Sequence, residues 1–364
     1  MLNINKTSFS VVICLIYCLL LTACSGKQMA NERTDENIQV TEQTVSDEEA
    51  AVSKEYLSAD TKTVVIPEVK REYEIWFFSD SHIIIPDENA SEQVQAYTTE
   101  RQPVFVNEMG VDSSKIFTDF IELANLEKPD MVLFGGDIVD FPSEANMNFL
   151  ANELTKLIVP YVYTMGNHDW TFPWEYMTPE GTEKYRPAYD FLAYGNFVKQ
   201  PVDTGTEEGL EIVDDSLDII NVSGDSSASL VELDDLMILS VDDSSNQVSD
   251  ECLDEMEYAF GSDKPVILMQ HVPFSTEKLI EEAKKYWGNP VSLGMQVHGG
   301  IAPNQISADL FGKSRDDETN IRMVLAGHVH FPYEEKIGEQ TVEIITDAAF
   351  KGKFVKLQIV PQGD

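Results

Sequence analysis

Five short clusters of histidine, carboxylate and glycine residues carry the chemical information in this chain. In chain order they are Asp80-Ser81-His82, Gly135-Gly136-Asp137, Gly166-Asn167-His168-Asp169, Gln270-His271 and Gly327-His328-Val329-His330. Each cluster follows a predicted strand, and open α/β sheets place their ligand sites at the carboxyl ends of strands. Mixed imidazole, carboxylate and amide groups suit ions such as Mn, Fe and Zn, whereas a structural zinc site would be expected to include cysteine.

The spacing within two of these clusters allows neighbouring residues to share metal ions. In extended backbone, residues two positions apart point to the same side, so Asp80 and His82 are predicted to bind one ion. By the same reasoning, His328 and His330 are expected to serve two ions, one each. A glycine before a ligand lets the chain turn sharply and approach the metals closely.

The elements that must position these clusters alternate between predicted strands and helices. Strands are predicted at 73–79, 131–134, 161–164, 218–222, 229–233, 236–241, 266–269, 323–325, 342–345 and 354–360. Helices are predicted at 113–126, 143–157 and 250–260. The early β-α-β-α-β order predicts an α/β domain, and the later hairpins make the sheet mixed.

The N-terminal segment indicates a targeting signal. Residues 9–21 (FSVVICLIYCLLL) form an apolar run that is short for a transmembrane helix and fits the core of a secretory signal. The run ends in LTAC, which resembles the lipobox of bacterial lipoproteins and implies cleavage before Cys24 and lipid attachment to it. Residues 1–23 are then a signal peptide, and the protein is expected outside the cytoplasm, lipid-anchored to the bacterial cell membrane. An ordinary signal peptide or an uncleaved anchor is the alternative.

Composition indicates a tether followed by one folded domain. Residues 24–63 are rich in Glu, Asp, Gln, Ser and Thr, which predicts a disordered acidic linker, and residues 64–364 are predicted to fold. The chain has 25 Lys and Arg against 64 Asp and Glu, a formal net charge of −39. That charge argues against a nucleic-acid partner, because such binding needs clustered cations that neutralise phosphates.

The ordered set of clusters resembles the calcineurin-like metallophosphoesterase superfamily. Its pattern is D-x-H, G-D, G-N-H-D/E, H and G-H-x-H, and all five blocks occur here in that order between residues 80 and 330. The resemblance implies that residues 64–364 form an α/β domain, a four-layer α-β-β-α sandwich of two mixed sheets. It also implies a hydrolase of phosphomonoesters or phosphodiesters that uses two divalent metal ions.

The resemblance further implies a role for each matching residue. A first ion would be held by Asp80, His82, Asp137 and His330, and a second by Asp137, Asn167, His271 and His328. A hydroxide bridging the two ions would attack phosphorus in line. His168 would stabilise or protonate the leaving oxygen, and Asp169 would fix the ring of His168.

Departures from particular subfamilies narrow the expected activity. Residues 138–142 (IVDFP) lack the arginine of the Ser/Thr protein phosphatase motif, and Asp169 replaces its glutamate. Asp140 stands where purple acid phosphatases place a tyrosine ligand. Specificity is expected in the insertions 83–112 and 275–320, and the aromatic residues at 170–176 either pack their loop or line an apolar substrate wall.

Two other function classes compete with a phosphoesterase. One is a catalytically inactive binding lipoprotein on a phosphoesterase scaffold, which predicts missing metal ligands. The other is a metal-dependent hydrolase of amides or carboxylic esters.

Overall fold

Two mixed β-sheets dominate the computed structural model, which describes residues 54–174, 184–192, 195–196, 198–199, 211–212, 217–288 and 303–363. The predicted signal peptide and the predicted linker up to residue 53 lie outside these ranges. The described residues belong to one compact unit, Ala50–Asp364. Within these ranges, none of the helices has the length and apolar character needed to span a bilayer.

The strands and helices of the described residues are numbered in chain order. The strands are Ser58–Val65 (β1), Tyr73–Phe78 (β2), Met131–Phe134 (β3), Tyr161–Tyr163 (β4), Val198–Lys199 (β5), Glu211–Ile212 (β6), Asn221–Gly224 (β7), Ala228–Glu232 (β8), Met237–Val241 (β9), Val266–Met269 (β10), Ile321–Ala326 (β11), Tyr333–Lys336 (β12), Val342–Ile345 (β13) and Lys353–Val360 (β14). The helices are Glu92–Arg101 (α1), Ser113–Glu127 (α2), Glu144–Leu154 (α3), Leu253–Phe260 (α4), Glu277–Trp287 (α5) and Gln305–Arg315 (α6).

Each sheet contains parallel strands, and the predicted site residues lie just after the carboxyl ends of these strands. The first sheet has the order β1-β14-β2-β3-β4, in which β2, β3 and β4 run parallel. The second has the order β12-β13-β11-β10-β9-β8-β7, in which β9, β10 and β11 run parallel. The short strands β5 and β6 pair only with each other among the described residues.

Alternation of side chains along the strands builds the core in layers. Ile75 and Phe77 of β2 belong to an apolar cluster that also contains inward residues of the second sheet, such as Ile267 of β10. Trp76 and Phe78 belong to a different cluster, which includes the apolar faces of α2 and α3. A third cluster joins the outer face of the second sheet to α4 and α6. The predicted α-β-β-α sandwich of two mixed sheets is therefore confirmed.

The first strand lies in a segment that the sequence assigned to the linker. The prediction ended the disordered linker at residue 63, whereas β1 begins at Ser58 and pairs in parallel with all of β14. β1 is an edge strand whose side chains are mostly exposed, so backbone hydrogen bonds hold it with few apolar residues. The side chain of Lys62 also reaches Glu334 of β12 at 2.8 Å. Polar composition therefore gave the wrong boundary.

Most predicted elements occur close to their expected bounds, but several differ. The strand predicted at 218–222 begins at Asn221, because Asp218 has a φ of 51°, which interrupts an extended segment. The helix predicted at 250–260 opens with a 3-10 turn, Asp250–Cys252. Seven of the numbered elements were not predicted: β1, β5, β6, β12, α1, α5 and α6. Three of them, α1, α5 and α6, lie in the two segments that the sequence indicated only as insertions.

Candidate metal centre

Loops at the carboxyl ends of the parallel strands in both sheets bring the predicted site residues together. Three groups of side chains place potential ligand atoms within 4.8 Å of one another: Asp80, His82, Asp137 and His330; Asp137, His271 and His328; and His82, Asp140 and His168. The first two groups share Asp137. Six of the seven residues predicted as metal ligands belong to the first two groups. The seventh, Asn167, lies in the loop after β4, between Gly166 and His168.

The first cluster joins the loops after β2, β3 and β11. Asp80 Oδ1 lies 3.3 Å from His330 Nε2, and His82 Nε2 lies 3.1 Å from the same nitrogen. Asp137 Oδ2 is 3.8 Å from His82 Nε2. Asp80, His82 and Asp137 are buried, whereas His330 is half-buried. The four side chains can hold one divalent ion between them, with His330 towards the exterior.

The second cluster shares Asp137 with the first and adds His271 and His328. His271 Nε2 is 3.2 Å from Asp137 Oδ2, and the rings of His271 and His328 have centroids 5.2 Å apart in an edge-to-face arrangement. Asp137 Oδ1 accepts a hydrogen bond of 2.8 Å from the backbone N–H of His168. Asp137 is thus held between two groups of imidazoles, where one carboxylate can offer oxygen to two ions.

Hydrogen bonds fix the imidazoles with a ring nitrogen available for a metal. His271 Nδ1 donates to the backbone oxygen of Gly135 at 2.7 Å, so Nε2 is the ring nitrogen that faces Asp137 and would bind a metal ion once it loses its proton. His271 Nε2 and Asn167 Oδ1 are both buried and have no hydrogen-bond partner among the described residues. A bound cation would satisfy both atoms, since unpaired buried polar atoms are costly. These residues therefore fit a metal site.

Several candidate ligands have an unusual backbone conformation. The φ angles are 60° at Asp80, 49° at His82, 51° at Asp137, 70° at His328 and 57° at His330. The expectation that each i, i+2 pair lies in extended backbone is therefore wrong. Asp80 and His82 nevertheless belong to the same cluster, and His328 and His330 belong to one cluster each. Left-handed φ angles in residues other than glycine are costly and accumulate at functional sites. Sharp turns, rather than strand geometry, direct these side chains.

Glycines next to the ligands permit close approach of the loops. A Cβ on Gly166 would lie 2.1 Å from Asp137 Oδ1 and 2.2 Å from the Asp137 nitrogen. A Cβ on Gly327 would lie 2.3 Å from Asp80 Oδ2. At these two positions glycine is therefore required because a Cβ would clash with a neighbouring loop. Elsewhere in the loops glycine is required because of the backbone conformation.

Replacement of Gly166 by alanine should displace the Asp137 carboxylate. We expect at least about a tenfold loss of metal affinity and a loss of turnover of roughly 10²-fold, because a misplaced catalytic group is costly. Calorimetric titration with Mn²⁺ measures the first and steady-state kinetics the second. Gly312→Ala is the matched control, since a Cβ there meets nothing within 4 Å and Gly312 lies in α6. Wild-type metal affinity in the Gly166→Ala variant would contradict the steric argument.

The buried carboxylates create a field that attracts cations. Burial opposes ionisation of Asp137, yet His271, His168 and His82 hold its pKa well below the usual range. Burial likewise opposes ionisation of Asp80, whose pKa is nevertheless lowered by His330. Burial disfavours the charged form of His271, but the negative charge of Asp137 raises its pKa to about 10. A divalent ion would be attracted by the same ionised carboxylates.

The ring of His168 contacts Asp140. His168 Nδ1 donates to the backbone oxygen of Asp140 at 2.9 Å and lies 3.2 Å from Asp140 Oδ1. Burial alone would lower the pKa of His168, but the charges of Asp137 and Asp140 raise it to about 9. His168 is therefore a half-buried imidazole with a proton to donate, next to both metal clusters.

Asp169 has a different role from the predicted one. Its carboxylate accepts hydrogen bonds from the backbone N–H groups of Asp137 (2.9 Å), Val139 (3.0 Å) and Gly166 (2.8 Å). The prediction that Asp169 fixes the ring of His168 is wrong, because Asp140 makes that contact. Asp169 instead joins the loop after β3 to the loop after β4, which keeps the two loops in register around Asp137.

Two further buried carboxylates support the loop that carries His271. Asp243 accepts hydrogen bonds from the backbone N–H groups of His271 and Val272, and Glu343 accepts one from Phe274 at 2.8 Å. Burial raises the pKa of Glu343 to about 8. Both side chains are fully buried. No local sequence pattern indicates this support, because the residues come from three separate segments.

The raised pKa of Glu343 predicts how its replacement changes stability with pH. The folded state binds a proton at Glu343 up to about pH 8, whereas the unfolded state releases it near its ordinary pKa of about 4.3. The stability from the protonated form is full below the unfolded pKa and is lost as pH rises to about 8. Glu343→Gln stays neutral, so we expect similar stability at pH 4 and a gain of about 5 kcal/mol at pH 8.5.

Urea unfolding of wild type and Glu343→Gln at several pH values measures this difference. Glu281→Gln changes an exposed carboxyl of α5 and is the matched control, with the same effect expected at every pH. A constant difference between Glu343→Gln and wild type from pH 4 to pH 8.5 would contradict a buried, protonated Glu343.

The aromatic residues after His168 mainly pack their loop. Trp170 and Phe172 are buried, and Trp170 Nε1 donates to Ser244 Oγ at 2.7 Å. Trp174 stacks on Phe172 with ring centroids 4.7 Å apart and keeps part of its surface exposed. Tyr176 lies outside the described residues. Trp170 and Phe172 therefore pack their loop. Among the aromatic side chains of this loop that the structure describes, Trp174 is the one with surface open to a ligand.

Three residues of the site were not predicted as functional. Asp140 was noted only as a departure from another subfamily, and its position three residues after Asp137 was the available signal. Arg101 and Phe105 come from the first insertion, and nothing local in the sequence connects them to the metal clusters. Arg101 Nε and Nη2 each donate to the carboxylate of Asp140 at 2.8 Å, and Phe105 stacks on His82.

Two adjoining clusters of Asp and His side chains, at the strand ends of a sandwich of two mixed sheets, suit a pair of divalent metal ions. Residues 73–332 match the family model for calcineurin-like phosphoesterases. The chain therefore belongs to the calcineurin-like phosphoesterase family, and it is a metal-dependent phosphoesterase. A search of curated proteins gives no match.

The solved structures that match this chain include three proteins of low sequence identity. A dimetal phosphatase from Danio rerio is 9% identical with a TM-score of 0.41, covering 78% of this chain and 89% of that one. Phosphopantetheinyl hydrolase from Mycobacterium tuberculosis is 12% identical with a TM-score of 0.33, and the match covers 78% of this chain and 92% of that one. A 5′-nucleotidase from Candida albicans is 11% identical with a TM-score of 0.31, and the match covers 79% of this chain and 48% of that one.

Proposed function

We propose that the two clusters hold two divalent ions with Asp137 between them. Four side chains form the first site: Asp80, His82, Asp137 and His330. Four form the second: Asp137, Asn167, His271 and His328. The observation that carries this assignment is the shared Asp137, whose Oδ2 lies 3.2 Å from His271 Nε2 and 3.8 Å from His82 Nε2. Manganese, iron and zinc all suit these ligands.

The chain's own residues divide the work of hydrolysis. Two such ions, when bound, neutralise phosphoryl oxygens and lower the pKa of water at the site. Asp137 is fixed for its bridging position by the hydrogen bond from the His168 backbone. His168, whose Nδ1 donates to Asp140, can give the proton on its other ring nitrogen to the leaving oxygen. No side-chain nucleophile is needed in this scheme.

The proposed substrate is a phosphate ester in which the leaving oxygen needs a proton. The chain's net charge of −39 repels anions at long range, but salt screens that repulsion beyond about 10 Å, whereas bound cations act at contact. A phosphodiester carries less negative charge than a monoester and is less strongly repelled. We therefore favour phosphodiesters as substrates, with monoesters as the second candidate.

Hydrolysis by the full chain in detergent tests this function. The protein is stripped with chelator, dialysed and given Mn²⁺, and bis-p-nitrophenyl phosphate is compared with p-nitrophenyl phosphate. Metal-dependent turnover of either ester is expected, with faster turnover of the diester. Faster turnover of the monoester would reverse the substrate preference. A folded protein that binds two ions and hydrolyses neither ester would contradict the proposed function.

We also propose that the enzyme is lipid-anchored outside the cell membrane through Cys24. The support comes from sequence: the apolar run at 9–21 ends in LTAC, and the described domain begins thirty residues after Cys24, at Lys54. In a bacterial host, radiolabelled palmitate should label the wild type and not Cys24→Ser, and wild type should fractionate with membranes. Equal labelling of both proteins, or wild type found only in the cytosol, would contradict the anchor.

A further inference from the structure

The first insertion packs directly on the first metal cluster. Helix α1 ends at Arg101, and the 3-10 turn Gln102–Val104 follows it. The next residue, Phe105, is buried, and its ring stacks on the ring of His82 with centroids 4.3 Å apart and an interplanar angle of 5°. The insertion therefore covers one face of a candidate metal ligand.

Arg101 makes a two-point contact with the buried carboxylate of Asp140. Arg101 Nε donates to Asp140 Oδ2 and Arg101 Nη2 donates to Asp140 Oδ1, both at 2.8 Å. The guanidinium also lies over the ring of Phe105, 4.7 Å from its centroid. Parallel hydrogen bonds of this kind fix the plane of a carboxylate, which a lysine ammonium cannot do. Asp140 is fully buried, so its orientation is set by these contacts.

The carboxylate that Arg101 fixes touches two functional histidines. Asp140 Oδ1 lies 3.0 Å from His82 Nδ1 and 3.2 Å from His168 Nδ1. The other ring nitrogen of His82 faces the first metal cluster, and His168 is the candidate proton donor. Rotation of the Asp140 carboxylate would therefore disturb both imidazoles together.

We propose that Arg101 is a positioning residue that acts through Asp140 to hold His82 for the first metal ion and His168 for the leaving oxygen. This inference rests on the proposed function, because it assigns roles within the same site. The insertion 83–112 then has a defined task, which is to orient one half of the metal centre. An arginine with a purely structural role would change stability without a preferential effect on one ion site or on kcat.

The test compares three variants of the full chain. Arg101→Met keeps an aliphatic side chain over Phe105 but removes the guanidinium group and its two hydrogen bonds to Asp140. Arg101→Lys keeps the positive charge. Arg71→Met is the matched control, because Arg71 also lies over an aromatic ring, 4.2 Å from the centroid of Tyr73, and pairs with Asp130. Each protein is measured by Mn²⁺ titration calorimetry, by kcat and KM on aryl phosphate esters, and by thermal unfolding.

Arg101→Met is expected to weaken Mn²⁺ binding at one of the two sites by about 10-fold and to leave the other within about twofold. We expect kcat to fall by about 10–100-fold with KM nearly unchanged, and Arg101→Lys to recover only part of the loss. Arg71→Met should keep wild-type metal affinities and kcat. If Arg101→Met fails to fold, Arg101→Lys is compared with wild type by the same measurements.

Three results would overturn the proposal. A rise in KM with unchanged kcat would mean that Arg101 binds the substrate directly. Equal loss of affinity at both ion sites, or a lower unfolding temperature with wild-type affinities and kcat, would indicate only a structural role. Failure of the proposed function would give a different result, because the wild type would then bind two Mn²⁺ ions but hydrolyse no ester. In that case the calorimetric comparison of the variants would still decide the role of Arg101.

Discussion

Replacement of Asp137 by alanine should abolish turnover and remove at least one metal ion. Among the described residues, Asp137 is the side chain that belongs to both candidate metal clusters. Loss of one of the two ions would remove much of the electrostatic stabilisation of the transition state, so kcat/KM should fall by at least about 10³-fold. Metal content by elemental analysis and steady-state kinetics on the same sample measure both effects.

A second buried aspartate provides the control for this experiment. Asp119 is buried in α2 and pairs with Lys115, away from the metal clusters. Asp119→Asn should keep two ions and wild-type kcat/KM, even if its stability falls. Two bound ions with near wild-type turnover in Asp137→Ala would show that Asp137 does not bridge the centre.

Replacement of His168 by alanine should lower the rate without removing metal. The His168 side chain contacts Asp140 and is absent from the two clusters assigned to ions. If His168 protonates the leaving oxygen, kcat should fall by about 10²–10⁴-fold. The loss should be largest for esters with poor leaving groups, because a good leaving group such as p-nitrophenolate departs with little help from an acid. A series of aryl esters measures this dependence.

Metal content separates the two possible roles of His168. The variant should contain as many ions as the wild type, measured on the same preparation as the kinetics. Loss of an ion from His168→Ala would instead make His168 a metal ligand. A loss of rate that is equal for all leaving groups would contradict its role as a proton donor.

The candidate site could be predicted from sequence because its residues lie in short local patterns after apolar strands. Asp80, Asp137, His271 and His330 each follow a strand of parallel pairing, and the sheets bring these strand ends together. The order of elements followed from apolar runs of strand length, whereas the division into two mixed sheets was implied by the resemblance to the phosphoesterase family. At these positions the local sequence pattern and the overall fold are consistent with each other, which makes the prediction possible.

The contacts that orient the site could not be predicted, because they join residues far apart in the chain. Arg101 reaches Asp140 across 39 positions, and Glu343 reaches Phe274 across 69. The resemblance assigned Asp169 to the ring of His168, whereas the fold directs its carboxylate to backbone N–H groups. The strand β1 was missed for a related reason, since an edge strand is held by its backbone rather than by apolar side chains.

Anomalous diffraction from crystals grown with Mn²⁺ tests the central claim most directly. Data collected at the manganese absorption edge should show two peaks, one on each side of the Asp137 carboxylate. One peak should contact Asp80, His82 and His330, and the other should contact His271 and His328 together with Asn167. A single peak, or two peaks of which neither contacts Asp137, would contradict a dimetal centre bridged by this residue.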